Sequence, residues 1–266
     1  MREAVIVSAV RTPVGKFRGA LATVPAHVLG ALTIREAVKR AGIKPSMVEE
    51  VVFGNLYALQ CGNIARVALL EAELPVEVPG ITLNRACGSG LNAIAYAAIL
   101  IEAGYNDIVV AGGVESDSTR PWVMSKAEQP LQLTPPAWIK RLLTPPQMGN
   151  PAMIDTAENL AEKYRLTRQE CDEFALLSHQ KAAVAWEKGY FDEQIIPVEV
   201  NISKSKKALV TMDETFRKES TLESLAKLPV VSGRENGIVT AGNSSPLSDG
   251  SGAVVVMEKS KAKALG

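Results

Sequence analysis

The chain has 266 residues, 47% of them apolar and 22% charged, and its 29 Lys+Arg balance 29 Asp+Glu. This is ordinary globular composition, ample for one large domain or two modest ones. It excludes a disordered or fibrous chain and lacks the basic footprint that nucleic-acid binding leaves. Ala4-Val5-Ile6-Val7 is a short β-branched apolar run and reads as a buried first strand, not a signal peptide. Arg11-Thr12-Pro13 and Gly15 break it. Pro25 opens a helical stretch in which Ile34, Ala37, Val38 and Ala41 recur at i, i+3, i+4 and i+7, and Gly42 stops it. Val51-Val52-Phe53 is a second strand ended by Gly54, and residues 64–74 form a helical pattern. After Pro79-Gly80, Ile81-Thr82-Leu83 is a third strand.

Residues 91–103 are apolar on nearly every side, broken by Asn92, Tyr96 and Glu102. A helix apolar all round is expected between two layers, not on a surface. Ile108-Val109-Val110-Ala111 is another buried strand, followed by Gly112-Gly113. Strands alternating with helices predict an α/β fold with a largely parallel sheet.

From about Asp117 the character changes. Residues 120–151 hold seven prolines and two tryptophans with little periodicity, so this stretch is a long excursion and not a sheet element. Residues 156–164 read as helical, and Thr167-Arg168-Gln169-Glu170 is a capping box for a helix running to Lys188 before Gly189. His179 lies on that helix and His27 starts the earlier one; a structural role is expected for both. The sheet pattern returns through residues 239–250 to a buried strand, Ala253-Val254-Val255-Val256-Met257. The organisation is one α/β domain, residues 1–116 with 247–266, interrupted by an insert at 117–246. No apolar run reaches the roughly 18 residues of a membrane span.

The three cysteines, Cys61, Cys87 and Cys171, form no CxxC pair and no disulfide framework, which points to a reducing compartment, the cytoplasm, and away from a metal site. Cys87 sits where a strand turns into a helix, with Gly88 and Gly90 just after it. Free N–H groups and the positive dipole end of a helix stabilise a thiolate there, and the same N–H groups can hold an oxyanion. The layout is that of a strand–nucleophile–helix turn with sulfur in place of oxygen. By residue pattern alone a second reading stands: a small packed cysteine beside a glycine turn.

Asn84-Arg85-Ala86-Cys87-Gly88-Ser89-Gly90 resembles the nucleophile motif of the thiolases. Val7-Ser8-Ala9-Val10-Arg11-Thr12-Pro13-Val14-Gly15-Lys16-Phe17 is similar to that family's opening strand and turn, and Ala111-Gly112-Gly113-Val114-Glu115-Ser116 to its next strand and loop. Thr156-Ala157-Glu158-Asn159, Asp172-Glu173-Phe174-Ala175 and Ser178-His179-Gln180 resemble its inserted domain. Thr240-Ala241-Gly242-Asn243-Ser244-Ser245 with Ser248-Asp249-Gly250 resembles the return into the core. The match runs in order along essentially the whole chain.

The resemblance implies a layered α/β domain with a mixed sheet and a buried central helix, plus an inserted, mainly helical and irregular loop domain. It implies acyl transfer between coenzyme A thioesters, with Cys87 as the acyl-accepting nucleophile. It implies no permanently bound cofactor; coenzyme A and acyl-CoA are substrates. Ser245 and Ala241 match positions at the pantetheine arm, Met153 a residue lining the thioester pocket, and Arg217 a residue near the nucleotide end. Lys204, Lys206 and Lys207 could add positive charge near phosphates, although a solvated lysine run is the plainer reading. A homo-oligomer, or a complex with a separate chain carrying the second domain, is the implied assembly, without nucleic acid or membrane. A β-ketoacyl synthase fits less well, because its partner motifs differ and the insert matches thiolases better.

The sequence also departs from the family pattern. Ala152-Met153-Ile154-Asp155 alters a usual Met-Gly segment, and Cys61-Gly62-Asn63-Ile64-Ala65-Arg66 replaces Gly-Gln-Asn-Pro-Ala-Arg, with Cys61 read as a packing residue. Cys171 lies in the capping-box helix and cannot be the family's second cysteine. The chain stops at Gly266, where a second domain of similar fold is expected to follow with Asn-Glu-Ala-Phe, Gly-His-Pro and Cys-x-Gly motifs; none occurs in these residues. Two outcomes are therefore expected: one half of a complete catalytic unit, or a silent fragment that assembles or binds coenzyme A without turnover.

Overall fold

A computed structural model describes residues 2–126, 135–139, 141–203 and 205–266. Lys204 falls outside them. In chain order, β1 (Ala4–Arg11), β2 (Gly15–Lys16), α1 (Ala26–Arg40), β3 (Glu50–Gly54) and α2 (Ile64–Glu71) come first. Then follow β4 (Gly80–Leu83), α3 (Ser89–Glu102), β5 (Ile108–Ser116), α4 (Met153–Tyr164) and α5 (Arg168–Glu187). The hairpin β6 (Val198–Ser203) and β7 (Lys206–Val210), then α6 (Leu222–Ala226), β8 (Ser248–Glu258) and α7 (Lys259–Leu265) complete the chain. No described helix is long and apolar enough to cross a membrane.

The described residues form two compact units, residues 1–121, 190–215 and 247–266 in one and 122–189 and 216–246 in the other. The first holds a six-stranded sheet of order β1-β8-β5-β3-β4, with β2 also paired to β8. β3 runs parallel to β4 and β5, whereas β8 is antiparallel to both β5 and β1. The sheet is therefore mixed, not largely parallel. Local periodicity identifies a strand but carries no direction for one that returns after a long insert.

Side chains alternate across a strand, so a sheet covered on both faces reads as a continuous apolar run. Val51 and Phe53 of β3, with Ile108 and Val110 of β5, pack with α1 and α2 on one face. Val52, Val109, Ala111 and Val256 meet Ala93, Ala97 and Ile101 of α3 on the other. α3 buries only that one stripe: Leu91 is 76% exposed and Ile99 58%. Among the described residues its outer apolar face has no covering layer.

β5 and β8 outrun their apolar stretches because their backbones pair through glycines, which side-chain patterns do not report. A Cβ on Gly112 would lie 2.0 Å from the Gly252 carbonyl oxygen, so only glycine permits this approach. Residues 190–215, read from sequence as part of the insert, group with the sheet unit. Ile196, Val198 and Val200 enter its core, and the Arg11 guanidinium pairs with Asp213 at 2.8 and 3.0 Å while lying over the Phe191 ring.

The second unit is built on α4 and α5. α5 has the expected Thr167/Glu170 capping box, and Gly189 follows its end with φ +69°. In the proline-rich excursion, Met124 and Trp138 form an isolated antiparallel bridge, and the Trp122 and Trp138 rings lie 5.6 Å apart.

Candidate active site

Cys87 is exposed at the turn from β4 into α3. The tightness of that turn is carried by the residue before it. Ala86 has φ +46°, the left-handed region that costs a residue with a Cβ. Two neighbours hold Ala86 there. The Asn84 side-chain oxygen accepts its N–H at 3.1 Å, and Ser89 Oγ donates to its carbonyl at 2.6 Å. Ser89 Oγ also accepts the Arg85 N–H at 2.8 Å. Gly88 forms the N-cap and α3 begins at Ser89. The positive dipole end of α3 therefore lies at the cysteine, while the Gly88 and Ser89 N–H groups are taken by the Arg85 and Ala86 carbonyls at 3.1 and 3.0 Å.

Glycines under the turn set its position. A Cβ on Gly54, at the end of β3, would sit 2.5 Å from the Ser89 carbonyl carbon and 2.6 Å from the Gly90 nitrogen. A Cβ on Gly113 of β5 would sit 3.0 Å from the Gly54 oxygen and 3.3 Å from the Gly90 Cα. The first turn of α3 thus rests directly on the end of β3 and on Gly113 within the parallel β5. Two residues further along β5, Glu115 accepts the Leu56 N–H at 2.8 Å and the Asn55 amide at 3.1 Å, and burial pushes its carboxyl up. Asn55 also donates to the Val114 carbonyl and accepts the Ala58 N–H, fastening β3 to β5.

The other cysteines differ from Cys87 in setting. Cys61 is half-buried, and burial raises its thiol pKa. Cys171 is half-buried too; burial, then the charges of Asp172, Glu170 and Glu158, raise its pKa. His27 lies in the first turn of α1, and its Nδ1 is buried with no partner among the described residues.

The four residues matched to coenzyme A contacts, Met153, Arg217, Ala241 and Ser245, all belong to the second unit and all are exposed. Met153 opens α4 and is 68% exposed. Ala241 and Ser245 share the loop after Val239. That loop is fixed by side chains to which sequence reasoning assigned no role. Buried Glu158 of α4 accepts the Ile238 and Val239 N–H groups at 3.0 Å each. Asn243 accepts the Thr240 N–H at 2.8 Å and donates to the Ile238 carbonyl and to buried Asp172 of α5. Asp172 pairs with Arg168 at 2.7 Å, and Arg168 donates to the Leu225 and Leu228 carbonyls around α6. One hydrogen-bonded frame therefore joins α4, α5, α6 and the Ala241–Ser245 loop. These polar residues recur as quoted motif members, but their signal is a contact across long sequence separations and not a local pattern. Lys206 and Lys207 are exposed on β7, and Lys207 pairs with Glu199, as a solvated hairpin face does.

The chain matches the family described as "Thiolase, N-terminal domain" over residues 4–260. It is 43% identical over its whole length to an acetyl-CoA acetyltransferase of Pseudomonas aeruginosa, of which it spans 68%. It is 42% identical to a β-ketoadipyl-CoA thiolase of Acinetobacter baylyi, with 96% of this chain and 66% of that one aligned. The crystal structure of the Bacillus anthracis acetyl-CoA acetyltransferase superimposes with a TM-score of 0.91 at 41% identity, covering all of this chain and 68% of that one.

Proposed function

Because this chain belongs to the thiolase family, we propose that it transfers acyl groups between coenzyme A thioesters through a thioester on Cys87. The Cys87 thiolate attacks the thioester carbonyl carbon, the bond from that carbon to the coenzyme A sulfur breaks, and the departing thiolate takes a proton. The single observation that carries this reading is the placement of an exposed cysteine on a strained turn at the start of α3. Met153, Arg217, Ala241 and Ser245 are assigned to the coenzyme A contacts, a reading supported by their exposure and by the frame that fixes their loop. Three free thiols support a cytoplasmic location.

These 266 residues contain no Gly-His-Pro or Cys-x-Gly motif. The activating histidine and the second acid/base cysteine therefore come from outside them, and the chain alone is expected to acylate but not to turn over. The same observation favours a second reading, a silent fragment that assembles or binds coenzyme A.

The test is the ranking of the three cysteines together with acylation. Under limiting iodoacetamide the folded chain should label Cys87 first, since Cys61 and Cys171 are half-buried with raised thiol pKa values. Incubation with acetyl-CoA should add the mass of one acetyl group, lost in Cys87→Ala. Preferential labelling of Cys61 or Cys171, or acylation that survives Cys87→Ala, removes Cys87 from the role.

A further inference from the structure

The segment bearing Arg217 is pinned to α5 at two adjacent points. Phe216 stacks on Trp186 of α5, ring centroids 6.4 Å apart and planes 12° from parallel. The Arg217 backbone N–H donates to Nδ1 of half-buried His179 at 3.1 Å. Its carbonyl accepts the Ser220 N–H at 3.2 Å, which leads into the Thr221 cap of α6. The main chain of Arg217 is thus held on both sides, while its side chain is exposed and pairs with no carboxylate among the described residues.

An Nδ1 that accepts an N–H carries no proton, so this imidazole is neutral with its hydrogen on Nε2. Protonation would turn Nδ1 into a donor facing another donor, and the hold on Arg217 would be lost. On α5 the residues one turn to either side of His179 are Ala175, Leu176, Ala182 and Ala183, none of them charged. Arg217 is the charged group acting on the ring.

We propose that His179 is a positioning residue for coenzyme A, its neutral ring fixing the Arg217 main chain so that the guanidinium is presented to the nucleotide phosphates. This rests on the assignment of Arg217 to the nucleotide end. Burial, then the Arg217 charge, hold the His179 pKa below its ordinary value, so the holding form prevails at neutral pH and release comes on acidification.

The experiment measures the affinity of the purified 266-residue chain for coenzyme A by calorimetry in steps from about pH 7.5 down to about pH 4.5, well below the ordinary imidazole range. It uses wild type, His179→Ala, His179→Gln and Arg217→Ala, each checked for folding by circular dichroism. His179→Ala should bind about fivefold more weakly at the highest pH, the scale of one hydrogen bond. His179→Gln, whose amide oxygen accepts an N–H but does not titrate, should restore most of the loss. On acidification wild type should lose more affinity than His179→Gln, since ionisation of the ligand phosphates is common to both. If His179→Ala does not fold, the pH comparison of wild type with His179→Gln decides alone. Parallel pH profiles for those two, or a folded His179→Ala that binds like wild type while Arg217→Ala is weakened, overturn the positioning role and leave Arg217 in place. Wild-type affinity in Arg217→Ala, or no binding by any chain, overturns the underlying assignment and the proposal with it.

Discussion

Ser89 Oγ accepts the Arg85 N–H at 2.8 Å, tying the first residue of α3 back across the cysteine to the strand side of the turn. The same hydroxyl donates to the carbonyl of Ala86, the residue held at positive φ. A buried serine thus bridges across an exposed cysteine. Ser89→Ala removes both bonds; the Ala86 carbonyl keeps the Ser89 N–H, but the Arg85 N–H loses its side-chain partner. With Arg85 and Ala86 exposed, it should cost about 0.5–1.5 kcal/mol of stability by urea unfolding. It should also alter the alkylation rate of Cys87 more than that of Cys171. Unchanged stability and an unchanged Cys87 rate would show that the turn holds without the serine.

Glu158 gives the second unit a pH signature. Burial acts to raise its pKa, but the Ser232 hydroxyl, the Val239 and Ile238 N–H groups and the Arg234 charge together hold it below the ordinary 4.5. A carboxyl with a lowered folded pKa binds fewer protons folded than unfolded. Its stabilisation is complete above the ordinary value and is lost as pH falls through the folded one. Glu158→Gln keeps an oxygen for the two amides and does not titrate. Urea midpoints measured from about pH 6 to about pH 3 should therefore fall more steeply for wild type than for the Gln variant. Parallel profiles would remove the carboxylate from this role. Glu158→Ala, which leaves the buried Val239 N–H and its neighbour unpaired, should be destabilised at neutral pH by about 1–3 kcal/mol.

Local signals made much of the first unit legible. The β-branched runs at Val51–Phe53 and 108–111 are buried strands, and the spacing of Ile34, Ala37 and Val38 marks the buried stripe of α1. Strand direction was not legible, because β8 returns after a long insert and nothing local states which way it runs. The hairpin β6–β7 was missed because its apolar positions, Val198 and Val200, lie in a stretch assigned to the insert; their partners in the core are distant in sequence. At the site, Cys87 could be singled out from its turn and glycines. The strain at Ala86 could not, since alanine at positive φ carries no sequence signature. Glu158, Asp172 and Asn243 were visible as letters of motifs, but their function is a contact between α4, α5 and a loop about seventy residues away.

The outer face of α3 predicts how the chain behaves in solution. Leu91 and Ile99 are mostly exposed on a helix whose opposite stripe is buried, and β4, which leads to Cys87, is an edge strand. An exposed apolar helix face and an open strand edge both favour association. The chain should scatter light as a dimer or larger species at micromolar concentration. Leu91→Gln with Ile99→Gln should lower that mass while leaving unfolding stability nearly unchanged, because both side chains are already in water. A compact wild-type monomer across this range would count against both the helix face and the strand edge.

Catalysis sets the last expectation. General acid–base groups each contribute roughly 10²–10⁴-fold, and losses of groups that act together need not multiply. With neither a Gly-His-Pro histidine nor a Cys-x-Gly cysteine among the 266 residues, steady-state thiolysis of acetoacetyl-CoA by the chain alone should be negligible. His179 does not supply the missing base, because its Nδ1 is engaged by the Arg217 N–H. Acylation of Cys87 can still proceed slowly, since that half-reaction needs a thiolate and an oxyanion site. The assay compares the chain alone with the chain mixed with a separately produced thiolase second domain shown to fold and to bind it. Turnover only on mixing, abolished by Cys87→Ala, is the outcome expected of one half of a catalytic unit. Robust turnover by the chain alone, abolished by Cys87→Ala, would reveal a base within these residues. No turnover in the mixed sample would favour the silent fragment, and the acylation measurement would then show whether Cys87 retains the first half of the chemistry.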